Sequence, residues 1–208
     1  WQATGRPDSV RIHVNEDGIG IDLTLIAMKK QAARILPTSW ADAGNTAAGL
    51  LLGIRLAGLS SRMVAVRVVR SDIARPERFR RLTEATGQLL DSPASLEGEL
   101  PEIRHEFLGP GYGRFTPEGV AAMETARRSL GLKLEGTYTG KAFAALLQDC
   151  RDGRLAGANV LFWNTYNSRP FPETVLAQDY RALPEPFHYY FEQPLQPLDP
   201  EFEGRSSE

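Results

Sequence analysis

The sequence predicts an α/β fold in which a parallel, twisted sheet is covered by helices on both faces, giving three α/β/α layers. Three observations favour this class. Helical and strand-like segments alternate along the chain, the strand-like segments are valine-rich or strongly apolar, and polar or glycine-rich turns separate them. Of the 208 residues, 42% are hydrophobic and 24% are charged, which is typical of a compact globular protein.

The first elements follow from local periodicity and turn residues. Residues 10–14 alternate apolar and polar side chains before a turn, which predicts a short strand. Residues 19–36 have a helical pattern. Turn residues at 42–46 then lead into residues 47–59, which are apolar on nearly every face except at Arg55. A helix buried on all sides is therefore expected there.

The middle of the chain continues the alternation. Residues 63–69 are valine-rich and bounded by polar residues, which predicts a strand. Residues 76–90 have helical spacing, and residues 102–104 form a strand or a loop. Residues 116–118, Thr-Pro-Glu, are a strong helix start, because threonine caps free amides and proline suits the first turn. That helix is expected to end near Leu130.

The last elements lead into a different kind of segment. Residues 132–138 are expected to be extended, residues 140–150 helical, and residues 159–164 a buried strand. Residues 1–170 are thus predicted to form an α/β cofactor-binding domain, and residues 171–208 an irregular, proline-rich C-terminal extension. Four aromatic residues are expected to anchor this extension: Phe187, Tyr189, Tyr190 and Phe191.

Composition excludes several classes of function. Lys and Arg number 24 against 26 Asp and Glu, and no basic stripe occurs, so nucleic acid is not an expected partner. The apolar runs fall far short of the roughly 20 residues that cross a bilayer, so no membrane association is expected. The lone Cys150 is expected to be a buried or half-buried thiol, which fits a reducing cytoplasm. The chain begins with Trp1 and lacks the apolar segment of a signal peptide, so a fragment or a processed chain is expected.

Residues 44–49, Gly-Asn-Thr-Ala-Ala-Gly, form the first candidate site. They lie where the apolar helix is predicted to begin, and the free amides and dipole of such an end attract an anion such as phosphate. They lack the glycine and lysine pattern of a nucleotide loop, and small residues here are also typical of simple packing. Asp42 is an unfavourable neighbour for phosphate because like charges repel.

Three further clusters carry polar side chains. Residues 109–113 present Tyr112 on a rigid glycine-rich turn, residues 137–141 place Tyr138 at the start of a helix, and residues 164–169 follow the last strand. Ligands of parallel sheets collect outside the carboxyl ends of strands, so a shared crevice is predicted. Ordinary polar loops are the alternative interpretation.

Neither metal nor serine chemistry is indicated. No Gly-x-Ser-x-Gly elbow occurs, and no carboxylates form a pair whose spacing requires acid–base work. The three histidines lack the spacing of metal ligands, so they are interpreted as structural and no metal site is expected. They are His13, His105 and His188.

Taken in order, these clusters resemble the C-terminal half of the pyridoxal-phosphate enzymes grouped as D-cysteine desulfhydrase and 1-aminocyclopropane-1-carboxylate (ACC) deaminase. These enzymes have the tryptophan-synthase-β-like fold, fold type II. Residues 44–50 resemble the family's phosphate loop, residues 109–119 its Gly-Pro-Gly-Tyr segment, and residues 138–141 its Tyr-x-Gly-Lys motif. Residues 161–170 are similar to a subgroup of uncharacterised members. The likeness thus covers residues 44–170.

The resemblance implies that pyridoxal 5'-phosphate is the cofactor and that two groups of residues bind it. One group holds the phosphate through backbone amides and a hydroxyl, and the other meets the pyridine nitrogen. The phosphate ligands are Ala43, Gly44, Asn45 and Thr46, and the ring contact is Thr165.

The resemblance also implies that Tyr112 and Tyr138 are catalytic, as hydroxyl donors or proton carriers beside a small amino-acid substrate. The deaminase has a glutamate after the motif tyrosine, where Thr139 stands here, which favours the desulfhydrase-like side. A neutral threonine at the ring nitrogen leaves the pyridine less protonated, which suits elimination. The implied function is part of a cytoplasmic lyase that acts by α,β-elimination or deamination.

One departure from the family concerns lysine. The family's Schiff-base lysine lies in the N-terminal half in a Gly-Asn-Lys context, and no such context occurs here. The chain is therefore expected not to complete the reaction alone, and the implied partner is the missing N-terminal half or, as in related enzymes, a second copy in a homodimer. Two alternatives remain: a non-catalytic remnant that serves as a binding or partner module, and an unrelated α/β anion-binding domain. The chain's lysines are Lys29, Lys30, Lys133 and Lys141.

Overall fold

The computed structural model describes residues 12–14, 21–23, 34–37, 45–72, 74–90, 100–167, 169–194 and 196–199. Strands and helices alternate through much of these ranges. The strands are β1 (Ile12–Val14), β2 (Ile21–Leu23), β3 (Arg34–Pro37), β4 (Arg62–Val66), β5 (Glu102–Arg104) and β6 (Val160–Trp163). The helices are α1 (Asn45–Leu56), α2 (Pro76–Leu89), α3 (Pro117–Leu130), α4 (Thr139–Arg151), α5 (Glu173–Leu176) and α6 (Tyr189–Glu192).

A four-stranded parallel sheet lies at the centre of the described residues. Its order is β5-β4-β3-β6, and β3 pairs with β4 and β6 while β4 pairs with β5. Parallel neighbours need long crossover connections, which the helices between these strands supply. β1 and β2 form a separate antiparallel pair. The predicted α/β class with a parallel sheet is thus confirmed for the described part of the chain.

The strand β4 is buried on both sides. Met63, Val64, Ala65 and Val66 are each at most 3% exposed, and successive side chains of a strand point to opposite faces of the sheet. Both faces are therefore covered at this strand. The helices form the pairs α1–α2 and α3–α4, and both α1 and α4 contact the sheet. The three-layer arrangement of the whole sheet remains a prediction.

The helix α3 begins and ends where its sequence predicts. The Thr116 hydroxyl accepts a hydrogen bond from the Gly119 amide at 3.0 Å, and Pro117 occupies the first helical position. Gly131 ends the helix with φ of 64°, a left-handed conformation that glycine adopts without strain. The predicted helix to about Leu130 is therefore confirmed.

The prediction of one helix over residues 19–36 is wrong where the structure describes this region. Residues 21–23 form β2 and residues 34–37 form β3. A short apolar run fits a helix or a strand equally well by periodicity alone. The strand is selected by β4 and β6, which lie far along the chain and flank β3 on both sides.

The prediction that the first long helix is buried on all sides is also wrong. Ala47, Ala48, Leu51, Leu52 and Ile54 of α1 are buried, but the opposite face is exposed. That face consists of residues spaced by about one turn, most of them glycines, which contribute no side chain to a core. Its members are Gly49, Gly53 and Leu56.

Two predictions for the segments on either side of α4 need correction. Residues 132–138 form a loop and a turn rather than a strand. The last strand, β6, is not buried, because Val160 and Leu161 are 36% and 43% exposed. β6 lies at the end of the described sheet, where its outer side has no neighbouring strand among the described residues.

The C-terminal segment differs from the prediction in its anchors. Phe187, Tyr189, Tyr190 and Phe191 are between 45% and 56% exposed, so they do not anchor it in a core. The segment contains the short helices α5 and α6, and the rings of Tyr180 and Phe191 stack at 4.6 Å between centroids. The division at residue 170 remains a prediction.

Two further observations concern the surface. Cys150 is exposed, contrary to the predicted buried or half-buried thiol, because it lies on the outer face near the end of α4. Across the residues described here, every helix is too short or too polar to cross a bilayer.

Candidate functional site

Several of the predicted site residues follow strands of the parallel sheet in the sequence. Since β3, β5 and β6 run in the same direction, their carboxyl ends open on the same side. The segment after β3 leads to α1, the loop after β5 carries Tyr112, and Thr165 follows β6 by two residues. Ligands of open parallel sheets bind at this edge.

Tyr112 and Tyr138 contact each other. Their hydroxyls are hydrogen-bonded, and their rings meet edge to face with centroids 6.0 Å apart. Tyr112 is 49% exposed, whereas Tyr138 is partly buried against the core. The structure therefore brings together the two tyrosines for which the resemblance implies a catalytic role, and it leaves one of them open to solvent.

The tyrosine loop, residues 109–113, carries Tyr112 and is shaped by glycine. Gly109 and Gly113 have φ values of 67° and 72°, which residues with a Cβ atom rarely adopt. A Cβ atom on Gly109 would lie 2.3 Å from the Thr116 methyl carbon, so a side chain does not fit there. The loop therefore folds back tightly on the start of α3 and projects Tyr112 outward.

Lys141, in the first turn of α4, is completely buried. Its ammonium group donates hydrogen bonds to the carbonyl oxygens of Leu108 at 2.8 Å and Gly111 at 3.4 Å. Burial lowers the pKa of Lys141 below its usual value, and the nearby charge of Glu135 opposes this shift. The motif lysine is therefore bound to the tyrosine loop.

Glu135 organises the start of α4. Its carboxylate accepts hydrogen bonds from the amides of Thr137, Tyr138 and Thr139 at 2.7, 2.6 and 2.8 Å. A carboxylate is stabilised here by the free amides and the dipole of the helix. Sequence reasoning missed this residue, although an acidic residue just before a helix start is a recognisable signal.

Gly140 allows α3 and α4 to approach closely. A Cβ atom at this position would lie 2.8 Å from the Met123 Cγ atom and 3.0 Å from the Glu135 carbonyl oxygen. Each residue of the Tyr-x-Gly-Lys motif is thus explained by a contact. Tyr138 meets Tyr112, Gly140 permits helix packing, and Lys141 holds the loop.

The C-terminal segment also reaches the tyrosine loop. The Gln196 side chain accepts a hydrogen bond from the Phe115 amide at 2.6 Å and donates one to the Gly113 carbonyl at 3.0 Å. One amide side chain thus binds both sides of the loop backbone. Nothing in the local sequence around residue 196 indicates this contact.

The predicted phosphate site is described in part. Asn45 begins α1, Thr46 is half-buried, and the alanines that follow are buried. The first turn of α1 contains no acidic residue, so the positive end of its dipole is not neutralised by this helix. Ala43 and Gly44 lie outside the described residues. The described part fits an anion such as a phosphate group.

Thr165 lies in a polar turn after β6. It is exposed, and the preceding Asn164 side chain accepts a hydrogen bond from the Tyr166 amide at 3.1 Å and donates one to the Lys133 carbonyl at 3.4 Å. Because β6 pairs directly with β3, this turn and the segment leading to α1 leave neighbouring strands at the same edge. The segment with the predicted phosphate contacts and the turn with Thr165 therefore leave the sheet from the same end.

A buried ion pair links β5 to α4. The guanidinium of Arg104 binds Asp149, whose side chain is fully buried, and also Glu106 at 2.6 Å. Burial alone would lower the pKa of Arg104, but its bonds to Glu106 and Asp149 raise it. Sequence reasoning missed this pair because its members are 45 positions apart.

The remaining predicted structural residues have local roles. The His105 ring accepts a hydrogen bond from Arg67 at 2.8 Å, and the His188 ring lies 2.9 Å from the Leu183 carbonyl oxygen. His13 has no described side chain. Within the described ranges, no group of three or more His, Cys, Asp or Glu side chains is placed to hold a metal ion.

Comparison with known proteins gives relatives with one shared name. No protein-family model matches the chain. A protein of Pyrococcus abyssi is 33% identical over 122 residues, and one of Pyrococcus horikoshii is 30% identical over 125 residues. Both are named "Putative 1-aminocyclopropane-1-carboxylate deaminase". The matches cover 59% and 60% of this chain.

A solved structure agrees with these relatives. A crystal structure of an ACC deaminase homologue is 27% identical, with a TM-score of 0.57, and the match covers 69% of this chain and 43% of that one. The chain spans only 36% and 37% of the length of the two Pyrococcus relatives. The α/β fold with a parallel sheet agrees with this structural likeness. The chain is therefore similar, in sequence and in fold, to 1-aminocyclopropane-1-carboxylate deaminase homologues over one part of their length.

Proposed function

We propose that this chain is the cofactor-cradling part of a pyridoxal-phosphate-dependent lyase, which acts on a small amino acid by α,β-elimination or deamination. The observation that carries the proposal is the hydrogen-bonded pair of Tyr112, in the loop after β5, and Tyr138, at the start of α4. The names of the two Pyrococcus relatives support the same class of reaction.

The residues at the start of α1 would hold the cofactor phosphate. The amides of Ala43, Gly44 and Asn45 and the Thr46 hydroxyl are hydrogen-bond donors of the kind that a helix start offers to phosphate. The first turn of α1 lacks an acidic side chain, whereas Asp42, which precedes it in sequence and is an unfavourable neighbour for this anion, lies outside the described residues. Thr165 would meet the pyridine nitrogen. When bound, the cofactor supplies an electron sink for the carbanion that forms at the substrate α-carbon.

The tyrosine pair would hold and move a proton. With one hydroxyl donating to the other, a proton taken up at one Oη atom can be released from the second. Tyr112 is half-exposed, so the pair connects solvent with the partly buried Tyr138. This arrangement suits protonation of the substrate or of its leaving group.

The described lysines do not supply the amine that would hold the cofactor covalently. Lys141 is buried and bound to Leu108 and Gly111, and Lys133 lies 5.8 Å from the centre of the Tyr166 ring. Lys29 and Lys30 lie outside the described residues. As the resemblance implies, the proposal assigns that amine to a lysine in a Gly-Asn-Lys context, which does not occur in this sequence. The alternative function is a non-catalytic binding or partner module, and it is favoured because both described lysines, Lys133 and Lys141, are engaged in other contacts.

Two substrates fit the proposed class of reaction, D-cysteine and ACC. Thr139 stands where the deaminase carries glutamate, and its hydroxyl accepts a hydrogen bond from the Glu135 amide at 2.8 Å. This side chain is thus committed to the start of α4 rather than to acid–base chemistry. A D-cysteine desulfhydrase-like elimination is therefore proposed ahead of opening of the ACC ring.

Cofactor binding tests the proposal directly. Pyridoxal phosphate is added to the protein, and the visible absorbance is titrated for the protein and for Thr46→Val and Thr165→Val. Each variant is expected to bind about tenfold more weakly, because it lacks a hydrogen bond to a charged or ring acceptor. Thr125→Val is the matched control, because Thr125 is exposed and its hydroxyl donates a hydrogen bond to the Ala121 carbonyl of its own helix. Equal binding by all four proteins would contradict the proposed site.

Turnover separates the two substrates. D-cysteine would give pyruvate, sulfide and ammonia, whereas ACC would give 2-oxobutyrate and ammonia. Cofactor binding with neither product, also after addition of a segment that corresponds to the unmatched part of the Pyrococcus relatives, would favour the binding module.

A further inference from the structure

We propose that Lys141 is a positioning residue, which holds the loop of residues 109–113 against α4 so that the Tyr112 hydroxyl stays in contact with Tyr138. This inference rests on the proposed function for its chemical meaning, since it concerns the same tyrosine pair. Its structural content stands on the contacts of Lys141 alone.

Lys141 joins the two tyrosines through one side chain. Its backbone lies in the first turn of α4, three residues after Tyr138. Its ammonium group binds the carbonyls of Leu108 and Gly111, and Gly111 directly precedes Tyr112. The lysine therefore spans from the helix that carries one tyrosine to the backbone that carries the other.

The loop needs such a contact to keep one conformation. Glycines at positions 109, 111 and 113 give its backbone more freedom than any other residue type would. Within the described residues, its own backbone bond is the long one from the Arg114 amide to the Gly111 carbonyl, at 3.3 Å. Lys141 from α4 restrains the loop at Leu108 and Gly111, and Gln196 restrains it separately at Gly113 and Phe115.

Filling space does not account for a lysine at this position. Taking an ammonium group out of water is unfavourable, and apolar side chains of similar volume usually replace buried charges without loss of stability. Lys141 is completely buried, and Ala142 and Phe143 beside it are apolar. The feature that distinguishes lysine from methionine here is the donation of hydrogen bonds to the loop.

The experiment measures coupling between the tyrosines. Tyrosine is labelled with ¹³C in the ring, and the Tyr138 resonance is followed by NMR as Tyr112→Phe removes the partner hydroxyl. In the protein itself, Tyr112→Phe is expected to shift the Tyr138 resonance. In a Lys141→Met background the same change is expected to leave it unmoved, because the two hydroxyls no longer meet. A purely structural lysine would not change this coupling.

Two further variants make the result decisive. Lys141→Gln has a shorter side chain that keeps N–H donors, and it is expected to fold and to retain part of the coupling. Arg151→Met removes a cation from the exposed end of the same helix and is expected to leave the coupling intact. Full coupling in Lys141→Met or Lys141→Gln would overturn the inference. Absence of coupling in the unaltered background would do the same, whether or not the lysine variants fold.

This experiment uses no cofactor, so its outcome is separate from that of the proposed function. Failure to bind pyridoxal phosphate would contradict the proposed function and leave the role of Lys141 standing. Conversely, intact coupling without Lys141 would leave the cofactor proposal standing.

Discussion

Asp149 is a buried acid that is hydrogen-bonded to Arg104, and the Arg154 guanidinium lies 3.7 Å from the same carboxylate oxygen. Its side chain is 0% exposed, it binds Arg104, and its second carboxylate oxygen has no hydrogen-bond partner among the described residues. Removal of one member of a buried ion pair leaves the other charge uncompensated. We expect Asp149→Ala to lower the free energy of unfolding by about 3 kcal/mol or more, measured by urea denaturation.

The matched control for this prediction lies three residues away. Asp152 is exposed and faces Arg154 at 4.0 Å. Exposed pairs of this kind contribute little to stability. We expect Asp152→Ala to cost a small fraction of what Asp149→Ala costs. Equal costs would show that burial of the Arg104–Asp149 pair has no special importance.

Glu106 gives a prediction for pH. Partial burial would raise its pKa, but hydrogen bonds from backbone amides and from Arg104 lower it overall. A lowered folded pKa stabilises the protein above the unfolded value of about 4.3, and this stabilisation is lost as pH falls through the folded pKa. We expect the difference in unfolding free energy between the protein and Glu106→Gln to shrink in acid. Because the Glu106 side chain is 51% exposed, the difference stays below about 1 kcal/mol. A difference that grows in acid would contradict the assignment.

At the scale of residues, a sequence motif shows which side chains belong to the candidate site better than it shows which residues those side chains contact. Tyr112 and Tyr138 are recognisable from their neighbours in sequence, and the structure places them in contact. The partners of Lys141 are about 30 positions away, on a loop whose path depends on β5 and α3. No local pattern contains that information, so the function of the motif lysine follows only from the fold.

At the scale of elements, the contact between α3 and α4 depends on Gly140. A Cβ atom there would meet Met123, which is flexible, and the Glu135 carbonyl, which is backbone. We expect Gly140→Ala to lower the free energy of unfolding by about 1–3 kcal/mol, because the two helices must separate or shift. Thermal or urea unfolding measures the effect.

At Gly53 of α1, replacement of glycine by alanine is expected to have the opposite effect on stability. It lies inside a helix, and no described atom is within 4 Å of the position that its Cβ atom would take. Alanine is favoured over glycine in a helix by about 0.5–1 kcal/mol. Gly53→Ala is therefore expected to stabilise the protein. Destabilisation by both substitutions would indicate that backbone conformation, and not helix packing, determines the effect at Gly140.

Elements with strong end signals are predicted accurately, whereas those defined by distant neighbours are not. The capping threonine, the proline and the final glycine fix both ends of α3. β3 carries no such signal, and its strand conformation depends on hydrogen bonds to β4 and β6. The exposed face of α1 is missed for a related reason, since glycine in an apolar run does not reveal which side faces solvent.

At the scale of the whole molecule, segments far apart in sequence meet at the tyrosine loop. The loop follows β5, Lys141 reaches it from α4, and Gln196 reaches it from the C-terminal segment. The predicted division at residue 170 treats that last segment as an extension of the α/β domain. The contact of Gln196 instead connects it to the candidate site.

This connection has a measurable consequence for the loop. We expect Gln196→Ala to increase hydrogen exchange at the Phe115 amide by about tenfold, because the substitution removes its acceptor and frees the Gly113 carbonyl. Gln178→Ala is the control, since the Gln178 side chain bonds to Thr174 within its own segment. An equal exchange rate in both variants would show that the C-terminal segment and the tyrosine loop fluctuate independently. Faster exchange in Gln196→Ala alone would mean that the segment beyond residue 170 helps to order the site and opens together with it.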